Sequence, residues 1–207
     1  MNNEREEFIH FLQELKLSDI DKILSKFEMY YQLLIDYNRY LNLISRATPA
    51  PEIWTYHFLD SLLPLKSIDL SNRKILDFGS GGGLPGIPVK LVVPSCKMVL
   101  LDSTQKKVKS LKEMIYKLNL TDCEAICSRL EDYYTEERFD YILCRAIKME
   151  KRYFKPLHSL LKPTGTMLFY KAQDISDISD LQPKELIREN FSYGRRVIYA
   201  LEPSQFR

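Results

Sequence analysis

A glycine-rich segment and an acidic residue downstream of it carry the clearest chemistry in this chain. The mainly apolar run Ile75 to Phe78 predicts a short buried strand, and five of the eight residues from Gly79 to Gly86 are glycine. Such a loop can turn tightly and approach a ligand closely. Asp102 follows a second apolar run, residues 98 to 101, where an acidic residue is well placed to accept hydrogen bonds from ribose hydroxyls. Together the two elements predict a nucleotide site in half of a doubly wound sheet.

The glycine spacing is compatible with two classes of ligand and with a turn that binds none. Gly81-x-Gly83-x-x-Gly86 satisfies the dinucleotide pattern, which keeps a nicotinamide-dependent oxidoreductase open, and a structural turn without a ligand is also possible. Gly79-x-Gly81-x-Gly83, directly after an acid-containing strand, instead resembles the loop of S-adenosylmethionine (SAM) methyltransferases. Pro88 removes an N–H from the following helix, which makes a phosphate cradle less favourable. The spacing therefore favours SAM.

Three further side chains are candidates for the chemistry. His57 and Asp60 lie on a helix that is expected to begin near Pro51, at a spacing that puts both on one face together with Ser61. A single histidine on a helix is more often a core residue than a catalyst, so we expect this pair to order the site. Arg145 ends the predicted strand 139–144 at the crevice where such sheets place chemistry, and it could pair with a carboxylate or a phosphate.

The remaining patterns predict an α/β fold. Two amphipathic helices, residues 3–15 and one starting at Ser18, are expected to cover an edge or one face of the sheet. A helix capped by Ser103 should run to Lys117. Further strands are expected at 124–127, 166–170 and 196–201, and a further helix at 151–161. We therefore predict an N-terminal helical extension, residues 1–70, packed on a domain of residues 71–207.

Composition narrows the class of protein. The chain has 207 residues, and 30 basic against 28 acidic residues give a net charge of +2, so a nucleic-acid partner would need a local basic patch. The N-terminus lacks an apolar signal segment, and no run approaches a membrane span, from which we expect a cytoplasmic protein. Four cysteines without paired spacing are expected to be free, and we predict no metal site.

On these motifs the chain resembles the bacterial small-subunit ribosomal RNA methyltransferase G family (RsmG, also called GidB). The resemblance spans about residues 30 to 171, and the run Leu84-Pro-Gly-Ile-Pro88 is its most specific piece. The other matching segments are residues 38–43, 57–61, 79–83, 101–108, 128–131 and 145–146.

The resemblance implies a class I SAM-dependent methyltransferase, with a mostly parallel twisted sheet and helices on both faces. It also implies SAM as cofactor and a guanine N7 in 16S rRNA, or in the small ribosomal subunit, as the acceptor; we expect a monomer. The implied cofactor residues are Gly79, Gly81, Gly83, Leu84, Asp102, Leu130, Glu131 and Arg145. The implied catalytic residues are Arg145, His57 and Asp60, and the implied RNA contacts are Lys106, Lys107, Arg129, Lys148 and Lys171.

Several alternatives stay open. The same fold could act on another acceptor, or the protein could be a non-catalytic RNA-binding or ribosome-assembly module. Cys144 raises cytosine C5 chemistry, but it lacks a preceding proline and is expected to point into the sheet. Members of the family usually continue past the position of Arg207 with one more strand, and if the chain stops there, the final hairpin is expected to be incomplete.

Overall fold

The computed structural model describes residues 3–172, 174–191 and 193–206. Within them, seven strands form one sheet in the order β3-β2-β1-β4-β5-β7-β6. β7 runs antiparallel to both of its neighbours, and the other pairings are parallel. The strands are β1 (Lys74–Phe78), β2 (Lys97–Asp102), β3 (Cys123–Cys127), β4 (Phe139–Arg145), β5 (Leu161–Lys171), β6 (Lys184–Phe191) and β7 (Gly194–Leu201).

Helices precede and connect the strands. They are α1 (Asn3–Glu14), α2 (Ile20–Leu41), α3 (Asp60–Leu62), α4 (Gly86–Val92), α5 (Gln105–Lys117) and α6 (Phe154–Leu160). A π-helix, Trp54–Leu59, leads directly into α3. None of the described helices is long and apolar enough to cross a membrane.

The two faces of the sheet carry separate hydrophobic cores, because successive side chains of a strand point to opposite faces. One core joins Ile75 and Leu100 to the aromatic residues of the N-terminal helices, such as Phe8 and Phe27. The other joins Leu76 to the residues of α6. The N-terminal helices belong to the first of these cores, where α2 packs against α4 and α5.

The end of the chain differs from the sequence-based expectation. The hairpin of β6 and β7 is formed, with Arg188 paired to Val197, and β7 hydrogen-bonds to β5, so the expectation of an incomplete hairpin is wrong for the described residues. Arg207 lies outside them. Sequence reasoning missed β6 because its solvent-facing edge position allows lysine, glutamate and arginine among the apolar residues.

One helix start also differs. The residue that flanks α5 is Thr104, not Ser103. Asp102 causes this, since its carboxylate accepts a hydrogen bond from the Thr104 N–H at 2.8 Å and extends the turn by one residue.

Candidate active site

The glycine loop leaves β1 at the point where the strand order reverses, between β1 and β4. Gly79, Gly81 and Gly83 have φ values of 79°, 54° and 94°, which L side chains rarely adopt. The N–H groups of Gly79 and Ser80 both donate to the carbonyl of Leu101, at 2.8 and 3.0 Å. The loop is thereby fixed to the end of β2, beside Asp102.

The Asp102 carboxylate already accepts hydrogen bonds from two backbone N–H groups. One oxygen accepts the Gly81 N–H at 3.0 Å and the other accepts the Thr104 N–H at 2.8 Å. An ionised carboxylate has about four acceptor positions, so about two remain for hydroxyl donors. The backbone bonds hold the carboxylate in one orientation, as recognition of a ribose diol would require.

A cavity of about 560 Å³ opens in front of this loop, which is within the range of small-molecule sites. Its wall combines the glycine backbone and Asp102 with apolar side chains, among them Phe78 and Leu130. We call it the first cavity. Its other lining residues include Leu101, Lys107, Arg129, Glu131, Arg145, Ala146, Ile147 and Arg152.

Arg145 connects β4 to the segment that precedes α3. Its Nη2 donates to the carbonyl of Tyr56 at 2.8 Å and lies 2.6 Å from His57 Nδ1. Its Nη1 donates to the carbonyl of His57 and to Ser61 Oγ, at 3.2 and 3.3 Å. Its Nε lies 3.4 Å from an oxygen of Asp60, so each of the three guanidinium nitrogens has a protein partner. Pairing with a cofactor carboxylate or a phosphate would therefore require Arg145 to release some of these contacts.

Asp60 lies between two arginines. Its oxygens are 3.4 Å from Arg145 Nε and 3.3 Å from Arg196 Nε, and its side chain is 5% exposed. Burial raises the pKa of Asp60, and the two guanidinium groups oppose that rise. Arg196 in turn lies over the rings of Tyr56 and Tyr193, at 5.2 and 5.0 Å, and the two rings pack against each other. A buried ion-pair network therefore ties the N-terminal segment to β4 and β7.

His57 is held neutral in this network. Burial, followed by the charges of Arg145 and Arg196, lowers its pKa to about 3. Since an arginine can only donate, Nδ1 accepts from Arg145 and the ring proton sits on Nε2. Nε2 is buried and has no partner among the described residues.

His57 lies in the π-helix, and Asp60 and Ser61 follow it in α3. The Ser61 hydroxyl donates back to the carbonyl of His57. The predicted grouping of His57, Asp60 and Ser61 is found, and their common partner is Arg145.

A second cavity, of about 740 Å³, adjoins the first. The two share Leu43, Gly79, Gly81, Arg145 and Ala146 in their walls. The remaining wall of the second cavity comes from residues 42–47, His57, Ser80, Gly82 and Leu84.

Most of the sequence-predicted cofactor residues line the first cavity: Gly79, Gly81, Asp102, Leu130, Glu131 and Arg145. Leu84 lines the second cavity instead. Gly83 lines neither, and its role is local, because a Cβ there would come within 2.4 Å of Ile87.

The predicted RNA contacts fall into two groups. Lys107 and Arg129 line the first cavity, Lys106 is exposed on α5, and Lys148 is exposed beyond the end of β4. Lys171, by contrast, is 13% exposed and its ammonium lies 2.7 Å from both carboxylate oxygens of Asp177. This buried pair does not favour a phosphate contact by Lys171.

Sequence reasoning missed three supports of the site. The Tyr30 hydroxyl donates to the carbonyl of Gly82 at 2.8 Å, and the Tyr170 hydroxyl donates to the carbonyl of Ser61 at 3.0 Å. Arg196 is the third. Each of the three lies in an apolar or strand-like stretch of sequence, and nothing in that stretch indicates the distant residue that it contacts.

Cys144 is buried in the sheet, and burial raises the pKa of its thiol. A thiol that resists ionisation is a poor nucleophile, so the structure gives no support to cytosine C5 chemistry at this residue.

Comparison with known proteins identifies clear relatives. The family profile described as rRNA small subunit methyltransferase G (GidB) matches residues 23–193. Proteins named ribosomal RNA small subunit methyltransferase G include one from Mycoplasma capricolum, 35% identical over 90% of this chain and 86% of the relative. The protein of that name from Vibrio atlanticus is 34% identical, over 87% and 85% of the two chains.

Solved structures share the fold. A SAM-dependent methyltransferase from Aquifex aeolicus has a TM-score of 0.59 and 16% identity, over 73% of this chain and 93% of its own. A precorrin-6y C5,15-methyltransferase from Geobacter metallireducens has a TM-score of 0.52 and 10% identity, over 69% and 86%. At these identities the likeness concerns the fold.

Proposed function

Because this chain belongs to the ribosomal RNA small subunit methyltransferase G family, we propose that it methylates N7 of a guanine in 16S rRNA, with SAM as methyl donor. The observation that carries the proposal is the pair of adjoining cavities, which share the glycine loop, Arg145 and Ala146 in their walls. A donor in one and a base in the other would meet at this shared wall.

The first cavity suits the donor. Asp102 would accept hydrogen bonds from the ribose hydroxyls, Leu130 and Glu131 would border the adenine, and Gly79 and Gly81 would border the methionine part. When bound, SAM supplies an electrophilic methyl group. The glycine loop contributes close backbone approach and a fixed position, which is the main requirement for a transfer that depends on alignment.

The second cavity suits an acceptor that needs no deprotonation. Guanine N7 has a free lone pair in the neutral base, so its methylation requires no general base. Among the described residues, the ionisable side chains of this cavity are Arg46, His57 and Arg145. His57 is a poor proton acceptor, because its pKa is lowered to about 3 and its Nδ1 already accepts from Arg145. This chemistry supports N7 over acceptors that must lose a proton.

We infer that Arg145 and Asp60 position the site rather than act on the substrate. Both are engaged with protein groups, and they fix the segment that contributes His57 to the cavity. Four cations near the first cavity would contact RNA phosphates: Lys106, Arg129 and Lys148 are exposed, and Lys107 is half-buried.

The wider organisation is part of the same proposal. Residues 1–70 would form the helical extension and residues 71–207 the methyltransferase domain, in a monomer that acts in the cytoplasm on 16S rRNA or the small subunit. Sedimentation at several concentrations would test the monomer.

Two assays test the function. Calorimetry should detect binding of SAM but not of NAD, and Asp102→Ala should weaken SAM binding at least tenfold through loss of the ribose contacts. Labelled SAM should then transfer its methyl group to unmodified 16S rRNA or small subunits. Binding of NAD instead would favour an oxidoreductase, and RNA binding without transfer would favour an assembly module.

A further inference from the structure

A third cavity, of about 390 Å³, lies between the end of α2 and the segment that follows it. Its lining includes Ile35 and Arg39 of α2, and Ile44, Arg46 and Ile53 from the following chain. We call it the α2 groove. None of the roles proposed above uses it.

The α2 groove is continuous with the second cavity. Ile44, Ser45 and Arg46 line both, so this short segment forms a ridge between them. The ridge is anchored at its start, because the Asn38 side-chain oxygen accepts the N–H groups of Leu43 and Ile44 at 2.7 and 3.0 Å. A ligand that extends from one cavity into the other would therefore lie across this ridge, whose position the Asn38 hydrogen bonds fix.

The groove combines an apolar floor with cations at its rim. Ile35, Ile44 and Ile53 are buried or half-buried in the core that supports it. The Arg39 side chain is 74% exposed, and its pairing with the exposed Asp36 at 3.6 Å is of the weak surface kind. Arg46 is also exposed, and it donates to the carbonyl of Arg39 at 3.4 Å.

An RNA strand whose target base enters the second cavity must place the next nucleotide close by. A base removed from its stack leaves its neighbour without a stacking partner, and proteins that bind single strands provide apolar surfaces for such bases and cations for the phosphates. The α2 groove offers both, one ridge away from the acceptor cavity.

We propose that the α2 groove binds the nucleotide adjacent to the methylated guanine, with its base on the isoleucine floor and its flanking phosphates on Arg39 and Arg46. This inference rests on the function proposed above, and it names a contact surface on the N-terminal helices, distinct from the cations near the first cavity.

The test compares two double variants of the full chain. Arg39→Gln with Arg46→Gln removes the rim cations, and Lys22→Gln with Lys26→Gln removes the same charge from the first turns of α2. At 1.5 Å per residue these control positions lie roughly 20 to 25 Å from Arg39 along the helix. Methyl transfer is measured with unmodified 16S rRNA and with small subunits, at several salt concentrations.

We expect the rim variant to raise KM for RNA about tenfold, the size expected for two exposed charge contacts, with SAM affinity unchanged. The slope of log KM against log salt should fall by about 1.4, because each contact to a single strand contributes about 0.7. The control variant should match the wild type in all of these.

Three results would overturn the inference: equal behaviour of the two variants, an unchanged salt slope in the rim variant, or an effect seen with small subunits but not with naked rRNA, which would indicate a protein partner. Failure of the proposed function itself looks different, because the wild type would then transfer no methyl group to either RNA substrate.

Discussion

Replacing Arg145 with methionine should destabilise the whole protein, not only its activity. The guanidinium is 15% exposed and bonds to two carbonyls, a hydroxyl, an imidazole nitrogen and a carboxylate. Methionine keeps the volume of the stem but removes the Arg145 donors from the Tyr56 carbonyl and from His57 Nδ1. It also leaves Asp60 with Arg196 as its one remaining buried cation among the described residues.

The expected size follows from the burial. Breaking a buried ion pair by removing one partner costs about 3 to 5 kcal/mol, which is a large part of the 5 to 15 kcal/mol typical of a folded domain. For a chain of this length, 1 kcal/mol corresponds to roughly 2 to 4 °C in Tm. Arg145→Met should therefore lower Tm by about 6 to 20 °C.

Thermal unfolding followed by circular dichroism gives the measurement. Arg188→Met is the matched control, because Arg188 is exposed and pairs with Glu185 three residues away, so its loss should cost less than about 1 kcal/mol. Arg145→Lys should recover part of the loss, since an ammonium has three donors and lacks the planar fork. A Tm for Arg145→Met within 2 °C of the control would refute the network argument.

Three further predictions concern titration and charge. Burial raises the pKa of Asp77 from 3.8 to about 7, so the native carboxyl keeps its proton below about pH 7 and stability falls as the pH rises across this interval. Urea unfolding at pH 8 should find Asp77→Asn more stable than the wild type by about 2 to 4 kcal/mol. His57, whose pKa is lowered to about 3, makes stability change with pH in the opposite direction. Below pH 6.5 the unfolded chain binds a proton at this residue and the native chain does not, so stability should fall by up to about 1.4 kcal/mol per pH unit between pH 6.5 and 4. His57→Gln should remove this pH dependence. Lys171→Met should destabilise the protein by about 3 to 5 kcal/mol in thermal unfolding, because the buried Asp177 carboxylate loses its paired cation. Lys107→Met, by contrast, should leave Tm unchanged and raise KM for RNA.

The fold and the first cavity follow from short-range patterns. Apolar runs ending in Asp102 and Arg145 locate the strand ends, and parallel strands bring their carboxyl ends to one edge. The glycine loop adds positions that need positive φ. These signals are local, which is why most of the residues predicted to bind the cofactor line one cavity.

The supporting contacts could not be predicted in the same way. Asp60 meets Arg196 across more than a hundred residues of sequence, and neither residue has a neighbour pattern that points to the other. The sequence predicts a regular helix from near Pro51, and the structure has the π-helix Trp54–Leu59 there. The pairing of Lys171 with Asp177 likewise turns an apparent phosphate ligand into a structural ion pair, because exposure depends on tertiary packing.

The identity of the methylated atom is the most direct test of the proposed function. The protein would be incubated with methyl-labelled SAM and with small subunits or 16S rRNA that lack the modification, the RNA digested, and the labelled nucleoside identified by mass spectrometry. We predict labelled 7-methylguanosine. Label in any other nucleoside, or no label from a protein that binds SAM, would contradict the proposal.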